Sequence, residues 1–175
     1  MILFLDAEWA DTIGSELVSL ALVSEDGTHR FYAELDPLPE QATPFVQERV
    51  YPLLQGGPFA LSQQMMTVAL RAFLCSISAP TVLADYYNGL DLLRYVVNGF
   101  DLPEWQADAC GPQPKSLTLL RIVDSSVRPL VEDWVNGRPD RSNRRHHAMI
   151  DAEALRIAWL AANGRLGTPT STPNE

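Results

Sequence analysis

The chain has 175 residues, 46% of them hydrophobic and 20% charged, with a formal net charge of −9. This length suits a single domain with a substantial core. The acidic balance excludes a protein that coats long nucleic acid through a basic surface, and no stretch approaches the roughly 18 uninterrupted apolar residues of a membrane helix.

The first part of the chain predicts three strands. An apolar run opens a strand over residues 2–8, and strand patterns follow over residues 15–24 and 28–35. A Glu-Asp-Gly turn signal separates the second strand from the third, so the three strands would form an antiparallel meander. Three prolines between positions 37 and 44 then mark a loop.

The rest of the chain predicts mainly helices. A short helix is expected over residues 45–54, an amphipathic helix over 63–77 and a buried strand over 81–84. Asn88 is expected to cap the helix that follows this strand. The remaining predictions are a loop over 101–115, one or two helices over 116–135, an Arg-rich loop over 138–145 and a last helix over 147–163.

Strands and helices in this order predict an α/β fold in which helices flank a mixed sheet. We expect a single domain over residues 1–163. The tail, residues 164–175, is rich in Gly, Pro and Thr and is expected to be disordered. In open sheets of this kind, functional sites gather at the carboxyl ends of the strands. The polar side chains at those ends are therefore the first candidates for a site.

Two acidic residues stand at the end of the first predicted strand. Asp6 and Glu8 are two positions apart, so their side chains share one face of the strand. Together they can hold one hard cation or bridge two. Carboxylate oxygens without soft ligands select Mg²⁺ or Mn²⁺ over zinc. A third acid follows the fourth predicted strand: either Asp85, which ends that strand, or Asp91, which would lie in the first turn of the next helix.

A histidine and an acid open the last predicted helix. His146 stands five residues before Asp151, which is about 140° away on a helix of roughly 3.6 residues per turn. The two cannot share one helical face, so His146 must lie in the loop or the first turn. An imidazole titrates near pH ~6.5 and can act as a general base near neutrality. His147 is the alternative for this role.

These motifs, in this order, resemble those of the DEDDh family of 3′–5′ exonucleases, which is named after its Asp, Glu, Asp, Asp and His. Within that family the chain is most similar to the bacterial exoribonucleases called ribonuclease AS. The similarity extends from residue 1 to about residue 160. It rests on Asp6-x-Glu8, on Glu16-Leu17-Val18-Ser19-Leu20, on Tyr86-Tyr87-x-x-x-Asp91, and on His146-x-Ala148-x-x-Asp151-Ala152. The more widespread family pattern has His-Asn where this chain has Tyr86 and Tyr87.

The resemblance implies a ribonuclease-H-like fold, two divalent ions and a role for each motif residue. Asp6 would bridge the two ions, Glu8 and Asp151 would complete the shell of one, and Asp91 would act on the second. His146 would be the general base. The register of the resembled motifs favours Asp91 over Asp85 and His146 over His147.

Four further residues are candidates for substrate binding. Trp9 follows the first acidic pair and would stack on the terminal base, or else belong to the core. Glu16 and Tyr87 fall within the resembled segments, and a carboxylate at position 16 could accept a hydrogen bond from an adenine amino group. Arg145 closes a cluster of four arginines, which would either clamp phosphates or form a solvated loop.

The sequence thus predicts a metal-dependent 3′–5′ exoribonuclease that acts on single-stranded RNA ends, with a possible preference for adenylate. The alternatives are a DNA 3′–5′ exonuclease and a catalytically inactive nucleic-acid-binding module. The resembled group suggests a homodimer. Two cysteines that can form neither a disulfide framework nor a zinc site, and a start without a signal-peptide pattern, lead us to expect a cytoplasmic protein that does not contact membranes.

Overall fold

One mixed β-sheet organises residues 1–166, the part of the chain that this computed structural model describes. The expected α/β architecture, a sheet with antiparallel and parallel strands flanked by helices, is confirmed and is consistent with a ribonuclease-H-like fold. The strands are β1 (Ile2–Trp9), β2 (Leu17–Ser24), β3 (Arg30–Leu35), β4 (Ala60–Leu61), β5 (Thr81–Ala84) and β6 (Thr118–Arg121).

The strand order across the sheet is β4-β3-β2-β1-β5-β6. The first three strands form the predicted antiparallel meander, and β5 then pairs with β1 in parallel, with Phe4 opposite Leu83. The short strand β6 extends the sheet in parallel beyond β5. Because β1 and β5 are parallel neighbours, their carboxyl ends meet at one edge of the sheet.

Helices cover both faces of the sheet. They are α1 (Gln63–Cys75), α2 (Tyr87–Asn98), α3 (Glu104–Ala109), α4 (Val127–Asn136), α5 (Pro139–Ser142) and α6 (Ala148–Ala162). Leu3 and Leu5 of β1 pack with residues of α1 and α2, whereas Phe4 packs with residues of α4 and α6. Side chains alternate along a strand, so Asp6 and Glu8 share the face of Phe4, the face that α6 covers.

Several predicted elements differ from the observed ones. The region 116–135, expected to be helical, contains strand β6 before α4 begins at Val127. Three of the four residues of β6 are exposed, so the strand lacks the buried pattern that identifies β1 or β5, and its pairing with β5 decides its conformation. The loops expected over 101–115 and 138–145 contain the short helices α3 and α5. The helix expected over 45–54 is a π-helical turn, Val46–Val50, followed by a 3₁₀ turn, Tyr51–Leu53.

None of the helices within residues 1–166 has the length and apolar character that a membrane span requires. Disorder was predicted for the tail, residues 164–175, and its residues from position 167 onward lie outside the described part of the chain.

Candidate active site

Four carboxylates from distant parts of the chain line one cavity. Asp6 and Glu8 belong to β1, Asp85 directly follows β5, and Asp151 lies in the first turn of α6. The cavity has a volume of about 640 Å³, and His146 lies on its wall with these acids. A cavity of this size is typical of small-molecule and cofactor sites.

The fold explains why these acids meet. The parallel pairing of β1 with β5 brings the ends of both strands to one edge, which places Asp85 beside the acidic pair of β1. Helix α6 crosses the face to which Asp6 and Glu8 point, and its first turn carries Asp151. An acidic residue in the first turn is also favourable for the helix, because its charge complements the helix dipole.

His146 reaches the cluster through an unusual backbone conformation. Its φ of +73° is in the left-handed region, which residues other than glycine rarely adopt. Its backbone N–H donates to Asp151 Oδ2 at 3.1 Å, which holds the residue in this conformation. Its ring Nδ1 lies 3.9 Å from Glu8 Oε1, and the ring packs edge-on against Phe45. One potential ligand atom from each of Glu8, His146 and Asp151 lies within 4.8 Å of the others.

The cluster is electrostatically unfavourable for four negative charges. Burial, together with the neighbouring carboxylates, raises the pKa of Asp6 well above its usual range. Burial and the charge of Asp151 raise the pKa of Glu8 to about 8. Burial likewise raises the pKa of Asp151 to about 6 and that of Asp85 above its usual value. Asp6 Oδ2 is buried and has no hydrogen-bond partner among the described residues.

Arginines surround this acidic cluster. Arg145 lines the cavity, where it lies 3.5 Å from Asp151 Oδ1 and donates at 2.9 Å to Glu132 on α4. Arg145 and Arg49 are close enough to His146 to add to the effect of burial, which lowers the pKa of the imidazole. Arg128 is close enough to Asp85 to oppose the rise of that carboxyl's pKa. In a chain with a net charge of −9, these cations beside the cavity suit an anionic ligand.

The donor set fits a hard divalent cation. Asp6, Glu8, Asp85 and Asp151 offer oxygen ligands, His146 offers one imidazole nitrogen, and no cysteine lines the cavity. Mg²⁺ and Mn²⁺ prefer such donors. The unpartnered oxygen of Asp6 is a group that a cation would satisfy, and a positive ion would also relieve the repulsion among the four carboxylates.

The prediction that Asp91 converges with the other acids is wrong. The Asp91 side chain is exposed and pairs with Arg94 at 2.8 Å, three residues further along α2. The predicted cap is also wrong, because α2 begins at Tyr87 with Tyr86 as its N-cap, and Asn88 donates its side-chain amide to Ile13 O instead. The alternative, Asp85, lies in the cavity.

The two histidines have different surroundings. His146, which stands five residues before Asp151, is the one that faces the acids. His146 lines the cavity, whereas His147 is 2% exposed and caps α6 by accepting a hydrogen bond from the Met149 N–H. Its ring stacks on Tyr32 at 4.7 Å between centroids, and its Nε2 lies 2.9 Å from Gln55 Nε2. Burial lowers the pKa of His147, which favours the neutral imidazole that this cap requires.

Two of the four predicted substrate-binding residues lie at the cavity, and two do not. Trp9 and Arg145 line the cavity. Glu16 is exposed just before β2, Tyr87 is exposed at the start of α2, and neither lines the cavity. The sequence prediction missed Phe45 and Thr12, both on the cavity wall. Thr12 lies in the loop after β1, and Phe45 lies in the helical turn that leads into Val46–Val50. A single sequence carries no signal that would bring either segment to the end of β1.

No model of a known protein family matches the chain, and no curated protein matches it. A functional conclusion therefore depends on the residues and on the geometry of the cavity.

Proposed function

We propose that the protein is a metal-dependent 3′–5′ exoribonuclease that hydrolyses single-stranded RNA from its 3′ end and releases nucleoside monophosphates. One observation carries the proposal: four carboxylates and a histidine from distant parts of the chain line a single cavity. Clustered carboxylates without bound cations oppose folding, so a cluster of this kind supports a functional site over a purely structural one. The order of the residues along the chain and the resemblance to the ribonuclease AS group support an exonuclease over other metal-dependent enzymes.

In this proposal Asp6, Glu8, Asp85 and Asp151 hold two divalent ions. When bound, the ions would activate the attacking water and stabilise the leaving 3′ oxygen. The position of Asp6 among the other three acids suits the bridging role that the resemblance implies. Asp85 takes the role that the sequence prediction gave to Asp91.

His146 acts as the general base in this proposal. Its lowered pKa keeps the imidazole neutral at pH 7, which is the state that accepts a proton. The hydrogen bond from its N–H to Asp151 fixes the backbone beside the acids. Glu8 Oε1 lies 3.9 Å from Nδ1, which places the imidazole beside the carboxylates that would hold the ions.

The neighbouring side chains suit a nucleotide. Trp9 and Phe45 offer aromatic faces to a base, and Arg145 offers a guanidinium to a phosphate. Arg145 is held by Glu132 and Asp151, so this cation lies beside the carboxylates before a substrate arrives. The choice of RNA, and of adenylate as the preferred base, rests on the resemblance alone.

The test is hydrolysis of 5′-labelled RNA and DNA oligonucleotides of one sequence, with Mn²⁺, with Mg²⁺ and with EDTA. The proposal predicts a ladder of labelled products, each one nucleotide shorter than the last. Cleavage should require the metal and should be faster on RNA than on DNA. Cleavage of DNA and RNA at equal rates would extend the proposal to DNA ends, because only contacts to the 2′-OH distinguish the two substrates. If neither RNA nor DNA is cleaved, the proposed function is overturned and a binding module is favoured.

A further inference from the structure

An exposed aromatic residue and an arginine form a pair beside the cavity. Tyr87, the first residue of α2, is 61% exposed, and the guanidinium carbon of Arg121 lies 4.7 Å from the centroid of its ring. Tyr86, the residue before it, lines the cavity. Because the side chain of Tyr87 is mostly exposed, its ring is available to a ligand.

The sheet places Arg121 next to the acidic cluster. Arg121 ends β6 and pairs in register with Ala84 of β5. Ala84 lines the cavity, and Asp85 follows it directly. The pair of Tyr87 and Arg121 is therefore continuous with the rim of the cavity on the side of β6, which is the edge of the sheet.

Arg121 has its charge available at this rim. Within residues 1–166 no carboxylate lies at ion-pair distance from its guanidinium, whereas Arg145 is paired with Glu132 and Arg94 with Asp91. A guanidinium over a tyrosine ring is held in place by the ring while its N–H donors stay accessible. An exposed ring beside such a cation is the combination that binds single-stranded nucleic acid, where bases stack and phosphates meet the cation.

We propose that Tyr87 and Arg121 form a second nucleotide subsite, which binds the single strand where it leaves the cavity on its 5′ side. This inference rests on the proposed function. The cavity of about 640 Å³ has the size of a small-ligand site, so a longer strand must continue over the rim. A base stacks on Tyr87, and Arg121 contacts the adjoining phosphate. Oligonucleotides that extend beyond the cavity gain this contact, and a dinucleotide does not.

The test compares kcat/KM for a single-stranded RNA pentanucleotide and for the dinucleotide of its 3′ end, using Tyr87→Ala and Arg121→Gln. Loss of one stacked base corresponds to a fall of roughly 5- to 150-fold for the pentanucleotide, while the dinucleotide should change less than about twofold. Arg94→Gln is the matched control, because it removes an exposed arginine of α2 that lies outside the subsite. It should leave both rates unchanged. Thermal melting establishes that each variant is folded.

Three outcomes would overturn the inference. If the pentanucleotide and the dinucleotide lose the same factor in a folded variant, the pair acts on the cavity and forms no separate subsite. If neither rate changes, the pair does not contact the strand. If the wild-type protein cleaves neither substrate in Mn²⁺, the proposed function fails, and the subsite fails with it. Only this last outcome affects the proposed function.

Discussion

His146 and His147 are adjacent in sequence, but the structure gives them opposite surroundings. His146 faces the acidic cavity from a left-handed backbone conformation, and His147 is buried as the cap of α6. The distinction followed from sequence only through the register of the resembled motif, in which the histidine stands five residues before Asp151. The stacking of His147 on Tyr32 could not be predicted, because it depends on the packing of α6 against β3.

Substitution of the two histidines should therefore affect different properties. His146→Ala should lower the single-turnover rate by about 10²–10⁴-fold, the typical contribution of a general base, with little loss of stability. His147→Ala should lower the free energy of unfolding by about 1–3 kcal/mol, because it removes a helix cap and leaves buried groups unpaired. Rates measured at saturating Mn²⁺, beside urea melts, separate the two effects.

His147→Asn serves as the control, because asparagine can retain the cap without the ring. It should recover part of the stability that His147→Ala loses. Equal small losses of rate in His146→Ala and His147→Ala would mean that neither histidine is the base.

At the scale of elements, the loop between β1 and β2 is fixed to the start of α2. Asp11 Oδ1 accepts hydrogen bonds from the backbone N–H groups of Gly14, Ser15 and Glu16, and Asn88 donates to Ile13 O at 2.7 Å. Asp11 and Thr12 of this loop line the cavity. The loop is thus one wall of the site, and its position depends on the contact with α2.

Gly14 is the residue that this contact requires. Its φ is +79°, and a Cβ built there would lie 2.1 Å from Asn88 Nδ2. Gly14→Ala should therefore force Asn88 away from Ile13, and should cost about 1–3 kcal/mol in the free energy of unfolding. Gly57→Ala is the matched control: its φ is +56° with nothing within 4 Å, so it should cost about 1 kcal/mol of backbone strain alone. Urea denaturation of both variants measures the difference, and equal costs would mean that the contact with Asn88 carries no stability.

Helix α2 and the strands beside it show where prediction of the site from sequence succeeds and where it fails. Strand β1, which carries Asp6 and Glu8, and strand β5, which Asp85 follows, were identifiable from their buried runs. The choice of Asp91 over Asp85 was wrong because it followed a motif register. The apolar pattern of α2, with Leu90, Leu93 and Val97 buried, already places Asp91 on the polar side of the helix with Arg94. Helical periodicity was thus the better guide to this residue.

At the scale of the whole molecule, the acidic cluster makes the stability of the metal-free protein depend on pH. Glu8 has a pKa of about 8 in the folded protein and an ordinary value of 4.5. Between these values the folded state holds a proton that the unfolded chain releases, so the free energy of unfolding falls as pH rises. The histidines act in the opposite direction, because their lowered pKa values favour unfolding in acid, but only below about pH 6.5.

The clearest range for a measurement is therefore pH 6.5 to 8. Over this range a single proton corresponds to a loss of roughly 2 kcal/mol, or about 4–8 °C in Tm for a domain of this size. Thermal melting in EDTA should show this fall, and Mn²⁺ should raise Tm more at pH 8 than at pH 6.5. Glu8→Gln should reduce the slope of the profile in EDTA, and the raised pKa of Asp6 should maintain the remainder. A Tm that is constant or rises over this range in the wild-type protein would contradict the repulsion described for the cluster.

The overall sheet and most of the acidic cluster could be predicted, but the rest of the cavity wall could not. Periodicity and turn residues identified the meander, β5 and α6, whereas the full strand order, which includes β4 and β6, became known only from the structure. Weak local signals are common to the exposed edge strand β6, to the short helices α3 and α5, and to the positions of Phe45 and Thr12. Their conformations depend on tertiary contacts that a single sequence does not display.

Calorimetric titration of Mn²⁺ into the wild-type protein, Asp85→Asn and Asp91→Asn tests most directly whether the four carboxylates form a divalent-cation site. The geometry predicts that the wild-type protein and Asp91→Asn bind Mn²⁺ alike, because Asp91 is an exposed partner of Arg94. Asp85→Asn should bind at least about tenfold more weakly, because it removes a ligand from the cavity. Absence of Mn²⁺ binding by the wild-type protein, or equal binding by Asp85→Asn, would contradict the proposed site.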